Sequence, residues 1–178
     1  MRVLLLFVLS INFLLGEDLP LRTWPIPNTS LGLTAPGNWT THQDHAGAVL
    51  VLRSPLPADL KGDEAERARG IIAVAVQNVK DDTPKTFADR CRLDLERTAS
   101  GLHLDKNQEF IFGGRTWTKQ PYRMQVGQFT FTQELYTNVI NGVGICVTCS
   151  STAESYRQWQ AAFDAVLASL GRSRLKIE

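Results

Sequence analysis

Three cysteines and three histidines carry most of the chemistry this chain could perform. Cys146 and Cys149 form a C-x-x-C pattern, but it falls inside Val143 to Cys149, a stretch of strand character. Side chains alternate across a strand, so positions three apart face opposite ways and do not readily pair or share a metal. Cys149 by itself stands just ahead of a helical segment, whose positive end would lower a thiol pKa. Cys91 faces inward by its helical position, which makes a Cys91–Cys149 bridge one use for two of an odd number of thiols. The patterns favour three thiols serving as small core hydrophobes. His42-Gln43-Asp44-His45 offers two imidazoles and a carboxylate, a donor set able to hold Zn²⁺ or Cu²⁺ if a loop gathers His42 and His45. With no further ligand clustered nearby, a solvated hairpin is the favoured reading. His103 is isolated beside Asp105. No catalytic residue and no cofactor follow from these spacings.

A weaker signal is aromatic. Trp117, Tyr122 and Tyr136 recur among Lys119, Arg123, Gln125 and Gln133. Tyr, Trp and Arg are favoured at protein interfaces because they join large contact area to a polar handle. Trp117, Tyr122, Arg123 and Tyr136 are therefore the expected contact residues, against the alternative that the rings pack beneath a helix or loop.

The elements that must position these residues are well signposted. Ile71 to Val79 is nearly continuous in β-branched and apolar residues, as in a central strand covered on both faces. Thr83 is a credible N-cap followed by Pro84, where a missing N–H costs nothing, and Gly101 stops the helix so begun. Four strands then form a meander: Asn107 to Phe112, Arg115 to Met124, Gln128 to Ile140 and Val143 to Cys149. Gly113-Gly114 and Asn141-Gly142 supply hairpin turns, the latter a type I′ signal. A capping box, Ser151 to Glu154, opens a last helix reaching Leu170, with Tyr156, Phe163, Leu167 and Leu170 on one face. The fold class expected is an α/β sandwich (α+β), a mainly antiparallel sheet flanked by two main helices at about 83–100 and 151–171. Pro55 to Gly70 reads as a solvated loop or one loose helical turn.

Gly32, Leu33, Pro36 and Trp39 match a G-[FL]-x-x-P-x-x-W pattern, and Tyr156, Phe163, Ser169 and Leu170 match Y-x6-F-x5-S-[LF]. In this order, around this meander, they resemble the PsbP/DcrB-like superfamily over roughly residues 30–172. The resemblance implies an α/β/α sandwich used for binding, with no shared catalytic site. It also implies that Gly32, Pro36, Trp39, Tyr156 and Phe163 are architectural, with Trp39 and Phe163 filling core.

At 178 residues with 43% apolar and 21% charged residues, the chain suits one soluble domain with a sizeable core. Residues 1–16 read as a secretory signal peptide: Arg2, then an apolar run from Val3 to Leu15, then the small Gly16. The run is short of the roughly 20 residues a membrane span needs, so no stable span is expected after its removal. Loss of Arg2 would take the net charge from +1 to zero, which leaves no electrostatic footprint for nucleic acid. Residues 17–29, with Pro20, Pro25 and Pro27, read as a Pro-rich linker with Trp24 tucked against the body, and residues 173–178 as a tail. The function expected is that of an exported, periplasmic or extracellular, non-catalytic binding protein with a protein partner. The alternatives are a small thiol- or metal-dependent protein using Cys149 or His42/His45, and a cytosolic secretion chaperone if residues 1–16 stay attached.

Overall fold

The structure, a computed structural model, describes residues 19–42 and 47–172. Two antiparallel sheets and three helices stack in layers. The small sheet pairs β1 (Leu21–Pro25) with β2 (Leu31–Pro36), and the two-residue β11 (Gly171–Arg172) joins the other side of β2. The large sheet runs β3 (Thr40–Thr41), β4 (Leu50–Arg53), β5 (Ile71–Asn78), β10 (Val143–Thr152), β9 (Phe129–Ile140), β8 (Arg115–Val126). Beside β8 lie β6 (His103–Leu104) and β7 (Gln108–Phe112). Among the described residues there are three helices: α1 (Gly62–Arg67), α2 (Pro84–Thr98) and α3 (Tyr156–Ala168). The mainly antiparallel sheet, the meander and the two flanking helices are as the sequence predicts.

Alternation decides which side chains meet. Register across the large sheet aligns Leu52, Ile72, Cys149 and Glu134 in one row, and Leu50, Val74, Val147 and Tyr136 in the next. This inner face packs on α3 and on the small sheet, and the main core lies between them: Trp24, Leu33, Trp39, Ile72, Val74, Val147, Phe163 and Leu167. Each fully buried aliphatic side chain there contributes about 1.5–3 kcal/mol. On the outer face α2 packs over β8 and β9. Its N-terminus is the expected one: Thr83 Oγ1 accepts from the Thr86 N–H and the Thr86 hydroxyl accepts from the Thr83 N–H, with Pro84 leading the helix. Asn141 and Gly142 both take positive φ, 53° and 74°, as the type I′ turn requires.

Two expectations need correction. Residues 17–29 are not simply a linker, because β1 pairs with β2 from Leu21↔Pro36 to Pro25↔Gly32. Pro25 is tolerated because β1 is an edge strand, where no ladder donor is needed, while Trp24 and Ile26 drop into the core. The last helix begins at Tyr156, not Ser151. Ser151 and Thr152 extend β10 against Thr132 and Phe131, and Ser151 Oγ donates to the Ala68 carbonyl, so the S-x-x-E pattern never caps the helix. Ser155 precedes the helix without a side-chain cap. Strand pairing and a buried hydrogen bond outweigh a local cap worth about 1 kcal/mol. The polar stretch after Pro55 holds the short helix α1, with Ala65 buried beneath it.

Candidate functional site

The two motif segments meet in space. Ser169 Oγ accepts from the Thr34 N–H at 2.7 Å and is within 3.1 Å of the Thr34 carbonyl and 2.6 Å of the Val166 carbonyl. Gly171 pairs with Gly32, Trp39 meets Trp159 edge-on at 6.5 Å, and Tyr156 lies 5.5 Å from Phe163. The motif around Gly32, Pro36 and Trp39 and the motif from Tyr156 to Leu170 are thus two halves of one clasp between small sheet, α3 and core. Trp39 and Phe163 are buried. Ser169→Ala removes the acceptor of the Thr34 N–H and is expected to lower Tm by about 3–6 °C, for a loss of about 1–2 kcal/mol, in a thermal melt.

Polar side chains of unusual burial gather on the inner face beside this clasp. Lys119 on β8 and Glu134 on β9 form an ion pair at 2.7 Å, with side chains only 12% and 10% exposed. Tyr136, two residues along the same face, donates its hydroxyl to the other Glu134 oxygen at 2.6 Å. The Lys119 ammonium also sits 5.6 Å from the Phe110 ring and 5.7 Å from that of Tyr136, within cation–π range. Tyr156 Oη, reaching in from the start of α3, is buried without a hydrogen-bond partner among the described residues. Burial holds the Tyr136 and Tyr156 hydroxyls protonated far above the ordinary tyrosine range, and the Glu134 charge adds to both effects.

Both Glu134 oxygens are occupied, one by an ammonium and one by a phenol, so this carboxylate is not poised to abstract a proton. The ion pair and the phenol hydrogen bond satisfy the carboxylate and tie β8 to β9 in one register, while the Tyr156 hydroxyl beside them stays without a partner among the described residues. Sequence patterning gave no sign of it. Alternation puts Glu134 on one strand face with Thr130 and Thr132 without saying which way that face points, and the fold turns it inward beyond Thr132.

Asp164 stands at the rim of the cluster on the exposed side of α3. Its carboxyl is raised above the ordinary 3.8 by partial loss of hydration and then by the Glu134 charge, with Lys119 opposing. Solvent at this exposed position keeps the effect small. A raised folded pKa means that the contribution favouring the fold is complete below the unfolded value and is lost as pH rises through the folded one. Asp164→Asn is therefore expected to be slightly more stable than wild type near pH 7. The difference should vanish near about pH 3, read as paired melts across that range.

The four residues expected to form a contact surface divide sharply. Trp117, Tyr122 and Tyr136 are 1%, 4% and 0% exposed, so they are core and not interface. Trp117 stacks on Phe112 at 4.6 Å, and Tyr122 faces the outer side, where its hydroxyl donates to Gln133 Oε1. Register places Trp117 and Tyr136 under the clasp, a fact no sequence window contains. Arg123 alone is exposed. Arg123→Ala is expected to leave Tm within about 1 °C of wild type, since surface substitutions of this kind rarely exceed half a kcal/mol.

Cys149 is the small core hydrophobe that the favoured reading expected, and the reading of a thiol activated at a helix start fails. It lies within β10, fully buried, and burial followed by the Glu134 and Asp164 charges pushes its thiol well up, opposite to the shift a helix start would give. The C-x-x-C pair is split between the two faces as alternation demands. Cys91 therefore meets Cys146, at 3.5 Å between sulfurs, and a Cys91–Cys149 bridge is ruled out by the sheet between them. His42 is exposed at the end of β3; its partner in the metal reading, His45, lies outside the described residues. His103 is 3.5 Å from Asp105 at the surface. Among the described residues no three metal-ligating side chains gather, and no helix is long and apolar enough to cross a membrane.

A large antiparallel sheet with one helix on its outer face, and a helix and small sheet closing its inner face, is the PsbP/DcrB-like fold. The cyanobacterial PsbP (CyanoP) of Synechocystis sp. PCC 6803 matches with a TM-score of 0.61 at 14% identity, over 88% of this chain and 95% of its own. LpqN of Mycobacterium tuberculosis, a protein involved in cell envelope biogenesis, matches at 0.62 and 11%, over 90% and 95%. The PA94 protein of Pseudomonas aeruginosa, of unknown function, matches at 0.58 and 12%, over 84% and 95%. No protein-family model and no curated protein matches the chain.

Proposed function

We propose that this chain is an exported, non-catalytic binding protein that contacts another protein of the envelope or extracellular space. The observation that carries this reading is the fold, which spans 90% of the chain in its likeness to an envelope-biogenesis protein. The chemistry of the site supports it. Both oxygens of the Glu134 carboxylate are taken by Lys119 and Tyr136, and Cys149 is sealed in the core. The outer face offers a contact surface: α2 covers β8 and β9, and the strip beside it is set with the small, half-buried Ala73, Ala75, Thr148 and Ser150. Arg53, half-buried on the same face, has its Nε buried and without a hydrogen-bond partner among the described residues. A flat strip of methyl and hydroxyl groups with a guanidinium at its margin suits a partner that lays an extended segment on the sheet and sets a carboxylate against Arg53.

The test is a photo-crosslinking residue placed at Thr148 in the native host, with Lys85 on the exposed side of α2 as control. A single discrete adduct from Thr148, absent from Lys85 and lost in Arg53→Glu, is the expected result. No adduct at Thr148, or the same adducts at both positions, overturns the assigned face. The intact mass of the host protein tests export: a chain beginning near Glu17 is expected, and a chain retaining Met1 to Gly16 overturns it.

A further inference from the structure

The cysteine count becomes informative once the layers are known. Cys91 on α2 and Cys146 on β10 bring their sulfurs to 3.5 Å, and both side chains are only partly buried, whereas Cys149 is sealed on the opposite face. Their proximity is built into the packing of the two elements. Phe87 lies one helical turn before Cys91 and rests on Gly144, two residues before Cys146, where a Cβ would come within 2.6 Å of the ring. Four helical residues advance about 6 Å and two strand residues about 6.8 Å, so a helix seated at Phe87–Gly144 arrives at Cys146 with Cys91 in place. The thiols already share a hydrogen-bond contact at 3.5 Å, and a bonded pair at about 2.05 Å requires the sulfurs to close by about 1.5 Å.

We propose that Cys91 and Cys146 are an oxidation site that takes an external disulfide as co-substrate and forms an intramolecular disulfide riveting α2 to the sheet, with Cys149 left as a thiol. The reaction is a double exchange. The Cys91 thiolate attacks one sulfur of the external disulfide, forms a mixed disulfide and expels the other half as a thiolate, which takes up the Cys146 proton. The Cys146 thiolate then attacks Cys91 Sγ and expels the second half, which is protonated from solvent. Two electrons pass from the protein dithiol to the external disulfide, which leaves as two thiols. Cys91 is the first attacker. The hydrogen bond with Cys146 and the neighbouring Arg90 guanidinium lower its pKa, while the hydrogen bond shared with Cys91 and then burial hold that of Cys146 up. Closing a loop of more than fifty residues (sequence separation 55) restricts the unfolded chain strongly.

The experiment treats the full reduced protein with oxidised glutathione under native conditions, followed by intact mass, alkylation after denaturation and a thermal melt. The expected product has lost two hydrogens and carries no glutathione. One cysteine is alkylated, Cys149, and Tm rises by about 10 °C, reversibly with dithiothreitol. Three alkylatable cysteines, a persistent glutathione adduct, or a bridge containing Cys149 overturns the proposal. Cys91→Ser, at a half-exposed helical position, must abolish both the loss of hydrogens and the rise in Tm; retention of either also overturns it.

Discussion

Lys119→Met is expected to lose about 3 kcal/mol of stability, or roughly 6–12 °C in Tm, because it leaves the Glu134 carboxylate between β8 and α3 without its ammonium. The desolvation of Glu134 is already incurred by the fold, and Lys119 at 2.7 Å is the only cation paired with it among the described residues. The Tyr136 hydroxyl remains, but one phenol hydrogen bond does not balance a charge in so enclosed a place. The companion variant Lys119→Met/Glu134→Gln should recover most of the loss and lie within about 1 kcal/mol of wild type. An amide still accepts from Tyr136, and no charge then needs a partner. Chemical denaturation of the wild type, both single variants and the double variant completes the cycle. If Lys119→Met costs less than about 1 kcal/mol, the pair behaves as a surface salt bridge and the network described above is not structural. Added salt should change the wild-type stability little, since a shielded pair is weakly screened.

Gly113→Ala is expected to cost about 3–4 kcal/mol and Gly114→Ala only about 1 kcal/mol, although the two residues are adjacent in one turn between β7 and β8. Both have positive φ, 57° and 70°, so an alanine at either pays a similar conformational penalty. They differ in what surrounds them. A Cβ at Gly113 would overlap the carbonyl oxygen of Leu170, a backbone atom held by α3 and β11, whereas a Cβ at Gly114 meets open space. A carbonyl anchored in the clasp cannot step aside as a flexible side chain would, so the turn or the end of α3 must move. Parallel melts should place Gly113→Ala roughly 6–16 °C below wild type and Gly114→Ala roughly 2–4 °C below. Equal effects would mean that the turn is not pressed against Leu170. The comparison also tests the clasp, because Leu170 belongs to the closing motif that Ser169 ties to Thr34.

Much of this protein was written locally in its sequence. The N-terminus of α2 follows from Thr83 and Pro84, the tight turn from Asn141-Gly142, and the central strand from the β-branched run at Ile71, because each signal acts through backbone torsions or bonds a few residues long. The split of Cys146 from Cys149 was equally determined, since alternation along one strand needs no partner to enforce it. The two spaced motifs also pointed to the clasp, although nothing in them said that they touch.

What only the tertiary structure decided is which face of each strand lies inside and which distant element covers it. A period of two names two faces without saying which is buried, so Trp117 and Tyr136 could read as contact residues. The layer formed by α3 and the small sheet turned that face inward. Pairing of Ser151 with Thr132 extended β10 through a plausible helix cap, and pairing of Leu21 with Pro36 made a strand of a proline-rich stretch. Cys91 found Cys146 and not Cys149 for the same reason: the meeting of helix and strand is fixed by Phe87 seated on Gly144, a contact across 57 residues that lives in no local window.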